Sequence, residues 1–357
     1  MFNFSAGPST LPRTIVEEVR DELLDYADTG MSLIEMSHRG LEYRDVHEEA
    51  ISLARLVFGV PDDFSILFLQ GGATLQFSMV PMNLLREGLS GGYVLSGAWS
   101  VKAFSDAKIY GEAYEAWDGS PVNYSRMPKD FELNVKKGTR YLHVTSNETI
   151  HGVQMFEWPD VGVPLIADMS SDIVSRPIPW NLFDLVYGGV QKNLGPAGAA
   201  IVFVRNEVFE LENREIGRYL RYDTHASENS LYNTPPMFTV WLIGKMFRWI
   251  MGQGGLSAIE ATARAKASRI YDVLDASDGF YTCPVELGCR SLMNVIFSLP
   301  SEELTARFLT FCESSDLVGL KGHRSVGGVR ASIYNAMPME GVDTLVDAMV
   351  KFKIENE

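Results

Sequence analysis

The sequence is short of positive charge. Its 357 residues carry 31 lysines and arginines against 46 aspartates and glutamates, a formal net charge of -15. Nucleic acid and anionic membrane both demand a positive footprint, so neither is expected as a partner. Cysteine is scarce too: Cys283, Cys289 and Cys312 make an odd count, and the first two are spaced too widely for a CxxC zinc knuckle. Free thiols in a reducing compartment are expected, with no disulfide framework and no metal site. The amino terminus, Met1 to Pro8, lacks the basic region and long apolar core of a signal peptide. The longest apolar segment, Met237 to Met251, is interrupted by Lys245 and Arg248 and is too short to span a bilayer. A cytoplasmic location follows as the expectation.

What the chain does have is apolar residues, 46% of the total, enough for one large core or two domains. Short apolar runs near residues 65, 92, 141, 163, 184 and 199 alternate with helices or long crossovers, the pattern of an α/β fold with a mostly parallel sheet. Helical spacing predicts helices from Ser9-Thr10-Leu11-Pro12 to Gly30, over 41–58, over 75–85 and from Met237 onward. From Gly254 the texture changes to a smaller α+β unit: helices over 256–274, 302–314 and 341–354, and a strand from Asn294 to Leu299. The division expected is a large domain over 12–253 and a small one over 254–357, joined by an N-terminal arm, 1–11.

Within this frame one stretch concentrates chemistry, Asp184 to Gly198. It sets Lys192 on a glycine-rich turn between two apolar runs. A lysine there is hard to solvate, and desolvation favours the neutral amine, the form that makes a Schiff base with an aldehyde. Upstream, Val163 to Ala167 is an apolar run that ends in Asp168, where parallel sheets place their ligands. A strand-end Asp and a strand-end Lys are what pyridoxal phosphate needs: the Lys holds the aldehyde carbon, and the Asp keeps the pyridine nitrogen protonated.

Other stretches fit the same ligand. The strand at 65–69 runs into Gln70-Gly71-Gly72-Ala73-Thr74 and then a helix, a phosphate cradle of free N–H groups at the positive end of a helix dipole. That turn matches neither GxGxxG nor GxxxxGK[ST], so a dinucleotide or nucleoside triphosphate is not indicated. Trp99 follows another strand end and can stack on a flat ring. The strand at 141–144 ends in a polar run through Thr149 that can bond a ring oxygen. His38-Arg39 and His323-Arg324 are cations beside glycines in two loops, informative in so acidic a chain.

End to end, the sequence resembles the phosphoserine aminotransferases, fold-type I pyridoxal phosphate enzymes of the class V aminotransferase group. The landmarks are the run Phe2 to Pro8, Ser37-His38-Arg39-Gly40, Asn147-Glu148-Thr149-Ile150, Gln191 to Gly198, Tyr232-Asn233-Thr234-Pro235-Pro236, and Lys321-Gly322-His323-Arg324 followed by Gly327 to Ala336. The resemblance implies a large domain on a mostly parallel sheet of the seven-stranded type and a smaller C-terminal domain. It implies Lys192 as the cofactor's Schiff-base lysine and proton shuttle, Asp168 as partner of the ring nitrogen, Trp99 as stacking platform and Thr149 as donor to the ring's phenolic oxygen. Ala73, Thr74 and Gln191 would hold the cofactor phosphate, joined by Asn233 and Thr234 from the neighbouring subunit of a homodimer. Arg330 would take the substrate α-carboxylate, with His38, Arg39, His323 and Arg324 around the distal phosphate or carboxylate.

The implied reaction passes an amino group from glutamate to 3-phosphohydroxypyruvate, giving phosphoserine and 2-oxoglutarate; the related phosphohydroxythreonine step of vitamin B6 synthesis stays open. Where some members carry arginine, this chain has Thr74, so cofactor phosphate binding must lean on backbone N–H groups and that hydroxyl. Rival readings are an alanine-glyoxylate or serine-glyoxylate aminotransferase, a cysteine desulfurase, and a non-catalytic phosphometabolite-binding protein.

Overall fold

The structure is a computed structural model and describes residues 1–210 and 216–356. Its centre is a seven-stranded sheet in the order Phe64–Leu69, Ala200–Arg205, Phe183–Gly189, Leu165–Asp168, Thr139–Thr145, Ser90–Leu95, Glu112–Asp118. Ala200–Arg205 runs antiparallel to both its neighbours; the remaining pairs are parallel. The central strands are buried on both faces, which is why they read as unbroken apolar runs. One face packs against the helices Leu41–Phe58 and Met237–Gly252 through Phe58 and Phe247. The other packs against Gly72–Leu84 and Ala98–Tyr110 through Phe77 and Phe104.

The C-terminal residues gather around a second buried cluster that includes Phe308, Leu345 and Phe352. Three helices, Gly255–Asp275, Glu302–Ser314 and Met339–Asn356, surround the antiparallel pair Asn294–Phe297 and Val329–Ser332. The chain's start belongs to this cluster: Phe2–Asn3 pairs with Leu317–Val318, and Phe4 is fully buried in it.

Two expectations need correction. The first helix was expected to reach Gly30, yet it spans Arg13–Glu22. Beyond it, Asp25 Oδ1 accepts from the Gly30 N–H at 2.7 Å and the Thr29 hydroxyl donates to Tyr26 O at 2.7 Å. Such side-chain bonds compete with the helical ladder, and Ala27 and Asp28 turn to positive φ. The strand Glu112–Asp118 had no counterpart in the sequence reading. It lies at the sheet edge and buries only alternate residues, so charged and apolar positions are interleaved where a continuous run was sought.

Candidate active site

The turn after Phe183–Gly189 is closed by backbone bonds from Leu194 and Gly195 to Val190 O at 3.0 and 2.9 Å. It carries Lys192 inward, leaving that residue 8% exposed. The ammonium donates to Thr149 Oγ1 at 2.7 Å and stands 5.7 Å from the centre of the Trp99 ring. Burial lowers its pKa to about 8, against the pull of Asp168 and Glu148 and assisted by Arg330. The N-terminal arm crosses this turn: Ser9 N–H donates to Gln191 O at 3.0 Å, and the Ser9 hydroxyl donates to Lys192 O. Gly7, at φ +142°, passes so close that a Cβ there would sit 3.4 Å from Lys192 Cγ.

Asp168 ends its strand in register with Thr145 on one side and Tyr187 on the other. Its Oδ1 accepts from Ser170 N–H at 2.9 Å and the Ser170 hydroxyl at 2.5 Å. Ser170 Oγ accepts in turn from Gly189 N–H at 3.0 Å, which ties the aspartate loop to the lysine turn. Burial raises the Asp168 pKa, opposed by the Ser170 bonds and by Lys192. A buried carboxyl so placed is well matched to a cationic ring N–H, which would hold it ionised.

Both residues line a cavity of about 450 Å³. Its far wall is the start of the helix Gly72–Leu84, where Leu75 N–H closes on Gly71 O at 3.3 Å. The N–H groups of Gly72, Ala73 and Thr74 precede the helical ladder and need partners. Gly71 sits at φ +87°, and a Cβ there would lie 2.7 Å from Leu75, so the turn admits only glycine. Gln191 and Thr74 line the same cavity. Trp99 is fixed from behind by Glu148, whose buried carboxylate accepts from Trp99 N–H at 3.2 Å, Ser100 N–H at 3.0 Å and the Ser100 hydroxyl at 2.8 Å. Thr145 Oγ1 and Trp99 Nε1 are buried without partners among the described residues. An aldehyde cofactor carrying a flat ring and a phosphate fits this donor set.

Arg330, His323 and Arg324 do not line this cavity but form a positive group with Lys102. Arg330 is half-buried, and its Nε lacks a partner among the described residues. Burial, Arg330, Arg324 and Lys102 together lower the His323 pKa, so these groups share one neighbourhood. His151 belongs with them: burial and then His323 lower it to about 4. Lys102 lies 4.2 Å from the centre of the Trp99 ring. Protonation of both imidazoles is thus disfavoured, and an anion bound beside them would favour it. Sequence reasoning missed Lys102, His151 and Glu148. Lys102 was legible as the residue one helical turn after Trp99, and His151 as the second after Thr149.

The other expected residues lie elsewhere in the protomer. His38 Nδ1 stands 3.4 Å from Thr234 Oγ1, and Gln70 Nε2 donates to Thr234 O at 2.8 Å. Arg39, Asn233 and Thr234 are exposed. None of the four residues His38, Arg39, Asn233 and Thr234 lines the cavity that holds Lys192.

Comparison with known proteins follows the same lines. The family model described as aminotransferase class-V matches residues 1–345. The chain is 48% identical over 353 residues to a phosphoserine aminotransferase of Niallia circulans, covering 99% of this chain and 98% of that one. It is 44% identical over 355 residues to that of Bacillus subtilis, covering 99% of each. The solved phosphoserine aminotransferase of Bacillus circulans subsp. alkalophilus superposes with a TM-score of 0.97 at 48% identity, over 99% of this chain and 98% of that one. The alanine-glyoxylate aminotransferase of Nostoc sp. shares the fold, with a TM-score of 0.76 at 16% identity, over 98% of this chain and 94% of that one. With its model matched over nearly the whole length and relatives this similar, the chain belongs to the class-V aminotransferase family.

Proposed function

We propose that the protein is a pyridoxal phosphate-dependent phosphoserine aminotransferase, which moves the amino group of L-glutamate to 3-phosphohydroxypyruvate and yields O-phospho-L-serine and 2-oxoglutarate. The observation that carries this reading is a cavity lined by a buried amine of pKa about 8, with Arg330, Arg324 and Lys102 gathered around His323 and Lys102 lying over the cavity's Trp99. When bound, pyridoxal phosphate supplies an aldehyde to join the amino group and a conjugated ring that delocalises the electrons left on the α-carbon.

The protein's own residues do the rest. Lys192 would hold the cofactor's aldehyde and would move the proton at the substrate's α-carbon. Thr149 orients that amine through the 2.7 Å bond. Asp168 would keep the ring nitrogen protonated, and Trp99 would stack on the ring. Ala73, Thr74 and Gln191 seat the phosphate at the helix N-terminus. Arg330 receives the α-carboxylate in a bidentate fork. His323 and Arg324, with Lys102 and His151 nearby, receive the phosphate of one substrate and the γ-carboxylate of the other. A site for alanine or glyoxylate has no use for that second anion-binding group. A desulfurase needs a cysteine at the cofactor, and none of the three cysteines lines the cavity.

Asn233, Thr234, His38 and Arg39 enter as one group. Because Thr234 and His38 touch on the protomer surface, a segment that crosses to a neighbouring subunit in a homodimer brings all four into the neighbour's site. The exposure of Arg39, Asn233 and Thr234, and the absence of all four from the lining of their own protomer's cavity, support this reading. The direct test is turnover by the purified protein. Formation of 2-oxoglutarate from glutamate and 3-phosphohydroxypyruvate is expected; preference for alanine with glyoxylate would overturn the assignment.

A further inference from the structure

The C-terminal unit buries a lysine that the reaction does not use. Lys266, on the helix Gly255–Asp275, is 1% exposed. Its ammonium donates to the carbonyl oxygens of Tyr334 at 2.7 Å, Met337 at 3.0 Å and Asn335 at 3.3 Å. Burial pushes its pKa down to about 7, and no carboxylate among the described residues pulls it back. Burying an unpaired ammonium is costly unless its hydrogen bonds are satisfied. Here all three donors are spent on one short stretch of backbone.

That stretch touches the lysine turn, the loop after Asp168 and the N-terminal arm. Asn335 N–H donates to Asn193 Oδ1 at 3.0 Å, next to Lys192, and its side-chain amide donates to Val174 O at 3.0 Å. Val174 belongs to the loop after Asp168 and is held at φ +54°, a conformation a β-branched residue keeps only when its surroundings impose it. The Tyr334 hydroxyl donates to Ala6 O at 2.8 Å, in the arm that crosses the lysine turn. The same phenol is near Thr149 and Arg330. Upstream, the stretch continues directly from the strand Val329–Ser332 that carries Arg330.

We propose that Lys266 is a positioning residue: by gathering the carbonyls of Tyr334, Asn335 and Met337 it fixes Arg330 relative to Lys192, and so seats the substrate's α-carboxylate against the amine that moves the α-proton. The proposal rests on the role given to Arg330 above. Misplacement by about 1 Å in such an arrangement costs on the order of 100-fold in rate.

Lys266→Met keeps an apolar stem of similar length and removes the donors. Cofactor content and reductive labelling at Lys192 should stay as in the wild type, while amide exchange at Asn335 accelerates. The value of kcat/KM should fall about 10- to 100-fold for glutamate and phosphoserine alike. In an Arg330→Ala background the same change should cost less than about threefold, because both lesions act on one interaction. An equal loss in both backgrounds, or wild-type kinetics in the cofactor-loaded variant, overturns the proposal. If Lys266→Met does not fold, Lys266→Gln keeps two N–H donors without charge and is read against the same outcomes. If only Lys266→Arg folds, accelerated exchange at Asn335 with wild-type kinetics overturns the proposal, whereas a loss of kcat/KM that accompanies the accelerated exchange supports it. Wild-type turnover is the control: its absence refutes the proposed activity, whereas unchanged exchange at Asn335 refutes the role of Lys266 whatever the activity.

Discussion

Thr234 Oγ1 and His38 Nδ1 lie 3.4 Å apart although 196 positions separate them in the chain. Two segments that the sequence assigned to different subsites, one for cofactor phosphate and one for substrate, are thus a single surface patch. On the proposed crossing to a neighbouring subunit, the site that receives one receives the other. Mixed dimers test this. Pairing a Lys192→Ala subunit with a His38→Ala/Arg39→Ala subunit should leave about half of wild-type activity, since both lesions fall on one site and the other site is intact. The same result is expected with an Asn233→Ala/Thr234→Ala subunit. Activity no better than the patch mutant alone would place these residues in their own protomer's site.

Burial of Lys192 gives a pH dependence with a definite sign. Its pKa is lowered from 10.5 to about 8, so at pH 7 about a tenth of it is free amine, far more than of an ordinary lysine. The rate at which apoprotein takes up pyridoxal phosphate, followed by the visible band, should rise with pH through a midpoint near 8. Borohydride should then fix the label on Lys192 and on no other lysine in a peptide map. Stability follows the same shift. Between about 8 and 10.5 the unfolded chain binds the proton that the folded apoprotein has lost, so apoprotein stability relative to Lys192→Met increases with pH across that window. A flat difference between the two melting curves would contradict the lowered pKa.

Asp168→Asn should separate binding from chemistry. The amide is nearly isosteric and can keep one Ser170 bond, so cofactor content should be near normal. Without the negative charge the ring nitrogen loses its reason to stay protonated, and kcat should fall roughly 100- to 1000-fold, about 3–4 kcal/mol. Near-normal turnover in a fully loaded variant would remove Asp168 from the mechanism.

What could be read from the sequence was set by how local each signal is. Lys192 and Asp168 were legible because each sits at the end of an apolar run buried on both faces, so the strand and its end announce themselves together. The edge strand Glu112–Asp118 was not, because half its residues face solvent. Ala73 and Thr74 were legible from a strand, a glycine turn and a helix in immediate succession. Lys266 was invisible as anything but a helix lysine: its three acceptors are at least 68 positions away, and only tertiary packing turns their carbonyls toward it. The neighbourhood of His323, Arg324, Lys102 and His151 has the same character, with members drawn from a loop, a helix and a strand-end turn.

That neighbourhood yields the sharpest test of substrate choice, the ratio of kcat/KM for phosphoserine over glutamate. Arg330→Ala should cripple both substrates and leave the ratio nearly unchanged, since both carry the α-carboxylate. Arg324→Ala should lower it, because a phosphate dianion loses more than a γ-carboxylate when a charge-assisted bond worth about 1.5–3 kcal/mol is removed. Lys102 is exposed, so screening limits Lys102→Met to about 1 kcal/mol or less, roughly fivefold, and its effect should shrink as salt is raised. Protonation of His323 and His151 is disfavoured chiefly by burial, and a phosphate bound beside them favours it. Phosphoserine binding should therefore take up protons, and the ratio should rise as pH falls toward 6. His323→Ala should flatten that pH profile while leaving the effect of Arg330→Ala intact. If Arg324→Ala and His323→Ala both leave the ratio and its pH dependence unchanged, the second anion is bound elsewhere.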